Sequence, residues 1–411
     1  MTMDKNRIIP KLRGDIVFRV LENGTEKNIL LYDESKIANQ PLIFPIEFAS
    51  ILQFFDGKTT FGQLEKIIAQ NYPGDTTQFL ENLEILVEDL NILCYLETPY
   101  YQKIRDDFIS YQNSPIRPPV CIGNSYPSEK GELESFLANL LNSAEKYTPN
   151  KNVNAIIVPH IDFAIGKPAH HVYAKAYKTI EKNNYDAFII FGTSHYGNSD
   201  YFMFTNKDFE TPFGIAETER EFIAELSSFL PLDITFDEQA HRFEHSIEFQ
   251  IVLLQHTFKN PKIKVVPILV GPFHEFIYEN SLPISNERIN SFINGLRTKI
   301  FEKFKNPLFV ASVDFTHFGR KFNDPFDAME HIDSIQLHDQ KLIEHIQKCN
   351  PDGFFTEVSK VKDRFKICGL SPIYSLLSVV RPTKGHFLAY DYWDDSANKS
   401  VVSFASFCFE P

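Results

Sequence analysis

Four short stretches carry side chains suited to chemistry, and each closes or follows an apolar run. They are Val158-Pro159-His160, Gly192-Thr193-Ser194-His195, Asp314-Phe315-Thr316-His317 and Ile367-Cys368-Gly369. Two imidazoles plus a third donor leave open positions on a metal ion. A thiolate as third donor favours softer ions such as Cu(I) or Zn(II) over Mg(II), whereas a carboxylate favours Fe(II) and oxygen chemistry. His160, His195 and Cys368 are the first-choice ligands, with Asp314 or His317 as the alternative third. Asp314 and His317 otherwise form an acid–base pair whose proton affinities a metal would push apart. Each residue also has a plainer use: Asp314 as a turn cap, His317 as a donor behind a ligand, Cys368 as a buried apolar side chain.

The elements that must position these groups read as strands. Residues 155–158, 187–191 and 308–313 are short apolar runs that alternate with helical patterns, as expected for strands buried on both faces of a mixed or parallel sheet. Such sheets present their chemistry beyond the carboxyl ends of the strands. A segment from Glu238 to His256 reads as one helix carrying His241, Glu244, His245 and Glu248 at three- and four-residue spacing, and His245 with Glu248 reads as a network bracing the site. Cys368 is the cysteine set where a turn opens a helix. His170-His171 reads as packing or surface, His241, His331, His338 and His345 as solvated helical positions, and Asp394-Asp395 as a turn.

The remaining composition narrows the class. At 411 residues the chain suggests two domains, and a formal charge of -13 with no basic cluster argues against nucleic acid as a partner. The opening M-T-M-D-K-N-R has no apolar stretch of signal length behind it, and no run is long enough to cross a membrane, so a cytoplasmic protein is expected. Five scattered cysteines without a C-x-x-C pair make neither a disulfide framework nor a four-thiolate zinc site.

Residues 1–110 form a first domain of small α+β type. Strand-like runs at Asp15–Leu21 and Lys27–Tyr32 precede a helix over Pro45–Phe54, a helix over Phe61–Asn71 capped by Thr60, a helix over Thr77–Leu90 and a closing strand over Asn91–Leu96. The D-G-x-x-T motif between the first two helices resembles the winged-helix domains of PqqD-like type, which implies a peptide holder. Residues 111–119 read as a proline-rich linker, and residues 120–411 as the α/β domain.

Across about residues 118–411 the motifs V-P-H-I-D-F, G-T-S-H-Y-G, T-P-F-G, E-H-S-I-E-F-Q, V-P-I-L-V-G, S-V-D-F-T-H-F-G and I-C-G-L-S-P occur in an order that resembles the Memo family, AmmeMemoRadiSam system protein B. The resemblance implies an α/β fold similar to class III extradiol dioxygenases, with pocket residues at His160, His195, Asp314, His317 and Cys368. It also implies a metal-dependent oxidoreductase using Fe(II) or Cu(I), with Zn(II) as an alternative, acting on an unknown small molecule or peptide. A radical-SAM enzyme and an AMMECR-type protein are the implied partners. This chain has Asp162 where the family commonly has glycine, and Tyr196 where it has a second histidine; with His245 these are the candidate substrate contacts. The alternative is a peptide- or protein-binding module that uses the same pocket without catalysis.

Overall fold

A computed structural model of the chain describes residues 4–24, 26–38, 40–71, 76–145, 152–197 and 199–411. The chain divides into two compact units, Met1–Ser114 and Pro115–Pro411.

The first unit is built on an antiparallel meander, Val17–Asn23, Glu26–Tyr32 and Leu42–Pro45, in which Phe18 pairs Leu31 and Leu30 pairs Ile43. Three helices follow: Phe61–Asn71, Thr77–Ile92 and Pro99–Asn113. The first opens on a reciprocal cap, the Gln63 amide donating to the Thr60 hydroxyl (3.2 Å) while the Thr60 amide donates to Gln63 Oε1 (2.8 Å).

Two readings of this unit are corrected. Pro45–Phe54 is not one helix, because Leu42–Pro45 is drawn into the sheet by pairing with Asn28–Leu31; only a 3-10 turn at Ile46–Phe48 and one helical turn at Ala49–Leu52 remain. Asn91–Leu96 is not a strand either. The preceding helix runs to Ile92, Cys94 turns the backbone through φ 59°, and Leu96 keeps a single bridge to Leu12. The chain then re-enters a helix because Thr98 caps Pro99–Asn113, with proline in its first turn.

Helix Pro99–Asn113 and the strand Ile116–Arg117, paired in parallel with Asp208–Phe209, occupy most of the stretch read as a linker, and Arg117 is fully buried. Proline and polar composition there reflects the approach to a sheet edge as well as the passage between units.

The second unit surrounds a mixed sheet of twelve strands. At its centre lie four parallel strands in the order Ala155–Val158, Pro307–Ser312, Ala187–Thr193, Lys264–Val270. Register fixes the outcome for function: Ser312 pairs both Val158 and Gly192, and Val270 pairs Thr193, so these carboxyl ends stop at one level. Antiparallel Ser400–Glu410, buried throughout, flanks Ala155–Val158 and forms a hairpin with Lys384–Asp395. Asp394 and Asp395 are the last residues of that hairpin strand rather than a turn, held there by pairing with Val401 and Ser400.

Alternation along the strands splits the core in two. Ile157, Ile189, Phe191 and Ala311 face the layer containing helices Glu287–Lys303 and Leu370–Val380. Ile156, Val158, Ile190 and Val310 face helices Lys167–Ile180 and His245–Phe258. No helix among the described residues is long and apolar enough to cross a membrane.

The segment read as one helix from Glu238 to His256 is two, Glu238–Arg242 and His245–Phe258, broken at Phe243-Glu244. Glu244 is extended (φ -77°, ψ 124°) and caps the second helix by accepting from the Ser246 amide at 3.0 Å. His241 and His338 are also corrected: both are buried, because the helix faces carrying them pack inward.

Candidate metal centre

Each of the three first-choice ligands sits just past the end of a core element or just before one. Pro159 carries His160 beyond strand Ala155–Val158; Ser194 carries His195 beyond Ala187–Thr193; Cys368 precedes the buried helix Leu370–Val380. Close backbone approach makes this convergence feasible. A Cβ on Gly369 would lie 2.9 Å from the Asp314 carbonyl oxygen and 2.9 Å from Val313 Cβ, so only glycine lets the Cys368 turn seat there, with the Gly369 amide donating to that carbonyl at 2.9 Å. Gly192 serves likewise on the other side, where a Cβ would meet Ser246 Oγ at 2.6 Å.

The ligand atoms of His160, His195 and Cys368 all fall within 4.8 Å of one another. Cys368 Sγ lies 3.2 Å from His160 Nε2, 3.6 Å from His195 Nε2 and 3.4 Å from the Thr193 hydroxyl. The opposite ring nitrogens are already engaged. His160 Nδ1 is 2.8 Å from the Ser312 carbonyl oxygen, and His195 Nδ1 is 2.9 Å from Glu244 Oε1. Acceptors at both Nδ1 atoms require Nδ1–H, which turns each Nε2 toward the sulfur, the arrangement by which metal-binding imidazoles are commonly oriented.

A layer of buried polar groups holds these acceptors. Ser312 donates its hydroxyl to the Ser246 carbonyl at 2.5 Å and accepts from Gln250 Nε2 at 2.7 Å, and Gln250 also donates to the Pro159 carbonyl at 2.8 Å. Asp314 Oδ1 accepts from the His160 and Ile161 amides at 3.1 and 3.2 Å, while its Oδ2 stands 3.6 Å from His160 Nε2.

Electrostatics follow from the packing. Burial pushes the Cys368 thiol up, but the His160 and His195 imidazoles outweigh it and hold the thiol well below its ordinary range. Burial pulls both imidazoles down; the Cys368 thiolate with Asp314 returns His160 to about 9, and Cys368 with Glu244 carries His195 to about 11. Burial pushes the Glu244 carboxyl up, yet His195 and His245 bring it well below the carboxylate range. Without a cation, protons on the two Nε2 atoms thus face the sulfur. A metal ion would replace those protons, and the two imidazoles and thiolate fit a soft or borderline divalent ion, or Cu(I).

The other predicted residues divide. His245 joins the cluster: its ring stacks on His195 (4.8 Å, 17°) and meets His160 edge-on (5.1 Å, 76°), and burial with the charge of His160 lowers it to about 4. Tyr196 is at the rim, 58% exposed, its ring 6.4 Å from those of His195 and of Phe243, itself 51% exposed. Asp162 does not enter the cluster; its oxygens accept from the Ala164 amide and the Ser125 hydroxyl, both at 2.8 Å, because it caps the 3-10 turn Phe163–Ile165. His317 is held apart as well, Nδ1 lying 3.2 Å from the Phe315 carbonyl oxygen and the ring packing on Phe322 at 5.0 Å. Glu248 turns away from the cluster, toward Arg117 and Tyr126.

Glu244 is the residue that sequence reasoning placed without assigning its role. Its carboxylate binds both the ring and the amide of His195, the latter at 2.8 Å, and with His195 and His245 it forms a second group of potential ligands. Glutamate is not a favoured N-cap, so the pattern E-H-S-I-E gave no sign of the helix break that aims it.

Comparison with known proteins places these motifs. Residues 117–408 match the family model described as "Memo-like protein". A MEMO1 family protein of Aquifex aeolicus is 28% identical over 375 residues, covering 90% of this chain and 93% of the relative, so that similarity reaches into the first unit. MEMO1 family proteins of Nitrosopumilus maritimus (27% identical) and Methanosarcina barkeri (26%) each cover 72% of this chain and 99% and 100% of their own lengths.

Proposed function

The chain belongs to the Memo-like protein family, and from that premise we propose that it is a metal-dependent oxidoreductase working at the His160, His195 and Cys368 centre. The observation that carries the reading is the geometry of the donors: two Nε2 atoms and one sulfur within 4.8 Å, each imidazole fixed from behind. When bound there, iron or copper would supply the redox and oxygen chemistry that side chains lack.

The chain's own residues then have distinct tasks. Ser312 and Glu244 hold the imidazole tautomers, and Thr193 steadies the sulfur. Asp314, whose carboxyl burial pushes up from the ordinary carboxylate range, stands with Oδ2 beside His160, where it can exchange a proton with a bound substrate. His245, neutral at ordinary pH, offers an uncharged imidazole on the same side, and Tyr196 with Phe243 lines the approach as an aromatic rim. An unidentified small molecule or peptide is the substrate in this reading, and the radical-SAM and AMMECR-type proteins are its expected partners.

Oxygen uptake by protein loaded anaerobically with Fe(II), Cu(I) or Zn(II) and then given a panel of phenols and peptides tests it. Substrate-dependent uptake with Fe(II) or Cu(I) alone is the expected result. Turnover that persists anaerobically with Zn(II) would replace the redox reading with hydrolysis. The exposed Tyr196 and Phe243 favour one second reading, a peptide-binding module; saturable peptide binding that survives chelation, with no turnover, would select it.

A further inference from the structure

We propose that Arg117 is a positioning residue for the metal centre, fixing His195 through the backbone of Glu244. The proposal rests on the reading of His160, His195 and Cys368 as ligands.

His195 hangs by ring and backbone from one carboxylate: Glu244 binds His195 Nδ1 at 2.9 Å and the His195 amide at 2.8 Å. Glu244 itself stands in the break between helices Glu238–Arg242 and His245–Phe258, where its amide keeps only a long bond, 3.4 Å, to the His241 carbonyl. Whatever holds the break therefore aims His195.

Arg117 holds it. Nη2 donates to the Glu244 carbonyl at 2.6 Å, and Nε donates to the His241 carbonyl at 3.2 Å, so one guanidinium grips the two sides of the break. Nη1 pairs with Glu248, one turn farther along the second helix. The side chain is fully buried, with Phe209 5.5 Å from its Cζ, and Arg117 itself is pinned in the two-residue strand beside Asp208–Phe209.

Charge neutralisation alone does not explain this pattern. Glu248 already accepts from the Val120 and Cys121 amides (both 2.9 Å) and from the Tyr126 hydroxyl (2.5 Å). A planar fork that reaches three acceptors spread over two helices is what arginine supplies and a lysine point charge does not. None of the direct partners of His160, the Ser312 carbonyl and Asp314, touches Arg117; that arm meets the second helix through Ser246, Gln250 and the His245 ring instead. The relay thus predicts a selective loosening of one ligand.

The test uses the full chain with Arg117→Lys, Arg117→Met, Glu244→Gln and the Arg117→Lys/Glu244→Gln double variant. Co(II) affinity is read from thiolate-to-cobalt charge transfer, and the imidazole Nδ1–H signals of His195 and His160 are read by nitrogen-15 NMR in metal-free protein. Arg117→Lys is expected to weaken Co(II) binding about 10-fold, the scale of a lost outer hydrogen bond. The double variant should lose no more than the larger single loss, as members of one chain of contacts do. In metal-free protein the His195 Nδ1–H should exchange faster with solvent while that of His160 does not change. Folded Arg117→Lys with wild-type Co(II) affinity and an unmoved His195 signal would overturn the proposal, as would losses that add in the double variant. If wild type binds no Co(II), the metal reading fails while the NMR comparison still decides the relay. If Arg117→Met does not fold, Arg117→Lys carries the test, because it keeps the charge opposite Glu248.

Discussion

At the residue scale the proposed centre turns on the protons of two imidazoles facing one sulfur, which a bound metal would displace. Glu244 accepts from His195 Nδ1 and so orients Nε2; if His195 is a ligand as proposed, Glu244→Gln should leave the fold intact and weaken metal binding about 10- to 100-fold, measured by competition with a chromophoric chelator. Cys368→Ser should abolish thiolate-to-metal charge transfer while Asp162→Ala leaves it unchanged, because Asp162 is spent on its own turn. The convergence of His160, His195 and Cys368 was legible because each lies where an apolar element ends or begins, so the sheet register gathers them. The capping role of Asp162 was not legible, because a carboxylate near a chemistry-bearing histidine serves equally as a cap. His317 shares a motif with Asp314, yet the chain there turns into the strand His317–Gly319, paired with Ser400–Val402, which carries its ring away to Phe322.

At the scale of elements, glycines decide how closely the site can close. Gly369→Ala would drive a Cβ against the Asp314 carbonyl and Val313, and overpacking of that kind costs about 1–3 kcal/mol. Denaturant unfolding should show that loss, and metal affinity should fall with it because the displaced turn carries Cys368. The parallel strands were legible from runs of consecutive apolar residues bounded by turns, and their register then brought His160, His195 and Asp314 to one edge. The break at Phe243-Glu244 was not legible, since the apolar spacing continues across it and the cause is tertiary: Arg117 takes the His241 and Glu244 carbonyls on its two sides, and His195 engages the Glu244 carboxylate. In the first unit the meander took Pro45, the first residue of the expected Pro45–Phe54 helix, for the same kind of reason, strand pairing outweighing local preference.

At the scale of the whole molecule, stability depends also on buried titratable groups outside the His160, His195 and Cys368 cluster. His338 is held at about 4 by burial, and the protein therefore keeps it neutral. Its folded value lies below the ordinary 6.5, so the unfolded chain binds the extra proton; the contribution is complete above pH 6.5 and is lost as pH falls through about 4, up to about 3 kcal/mol. Its neighbour Asp339 acts in the opposite sense: burial raises it to about 6, so its contribution is complete below 3.8 and is lost as pH rises through 6. His338→Gln should flatten the decline of stability between pH 6.5 and 4, and Asp339→Asn should steepen it, both read from urea unfolding across that range. Neither burial was legible, because a helix carrying polar residues at mixed spacing does not declare which face packs inward. The two-unit organisation and the α/β class were, since they follow from length and from the change in pattern near the proline-rich stretch.

The most direct test of the central claim is the metal content and affinity of the anaerobically purified protein beside a His160→Ala/Cys368→Ala double variant, each offered Fe(II), Cu(I) and Zn(II). About one equivalent of iron or copper is predicted in the wild-type protein, removed by the double substitution while the fold is retained. Equal metal content in the two proteins, or none in either, would contradict it.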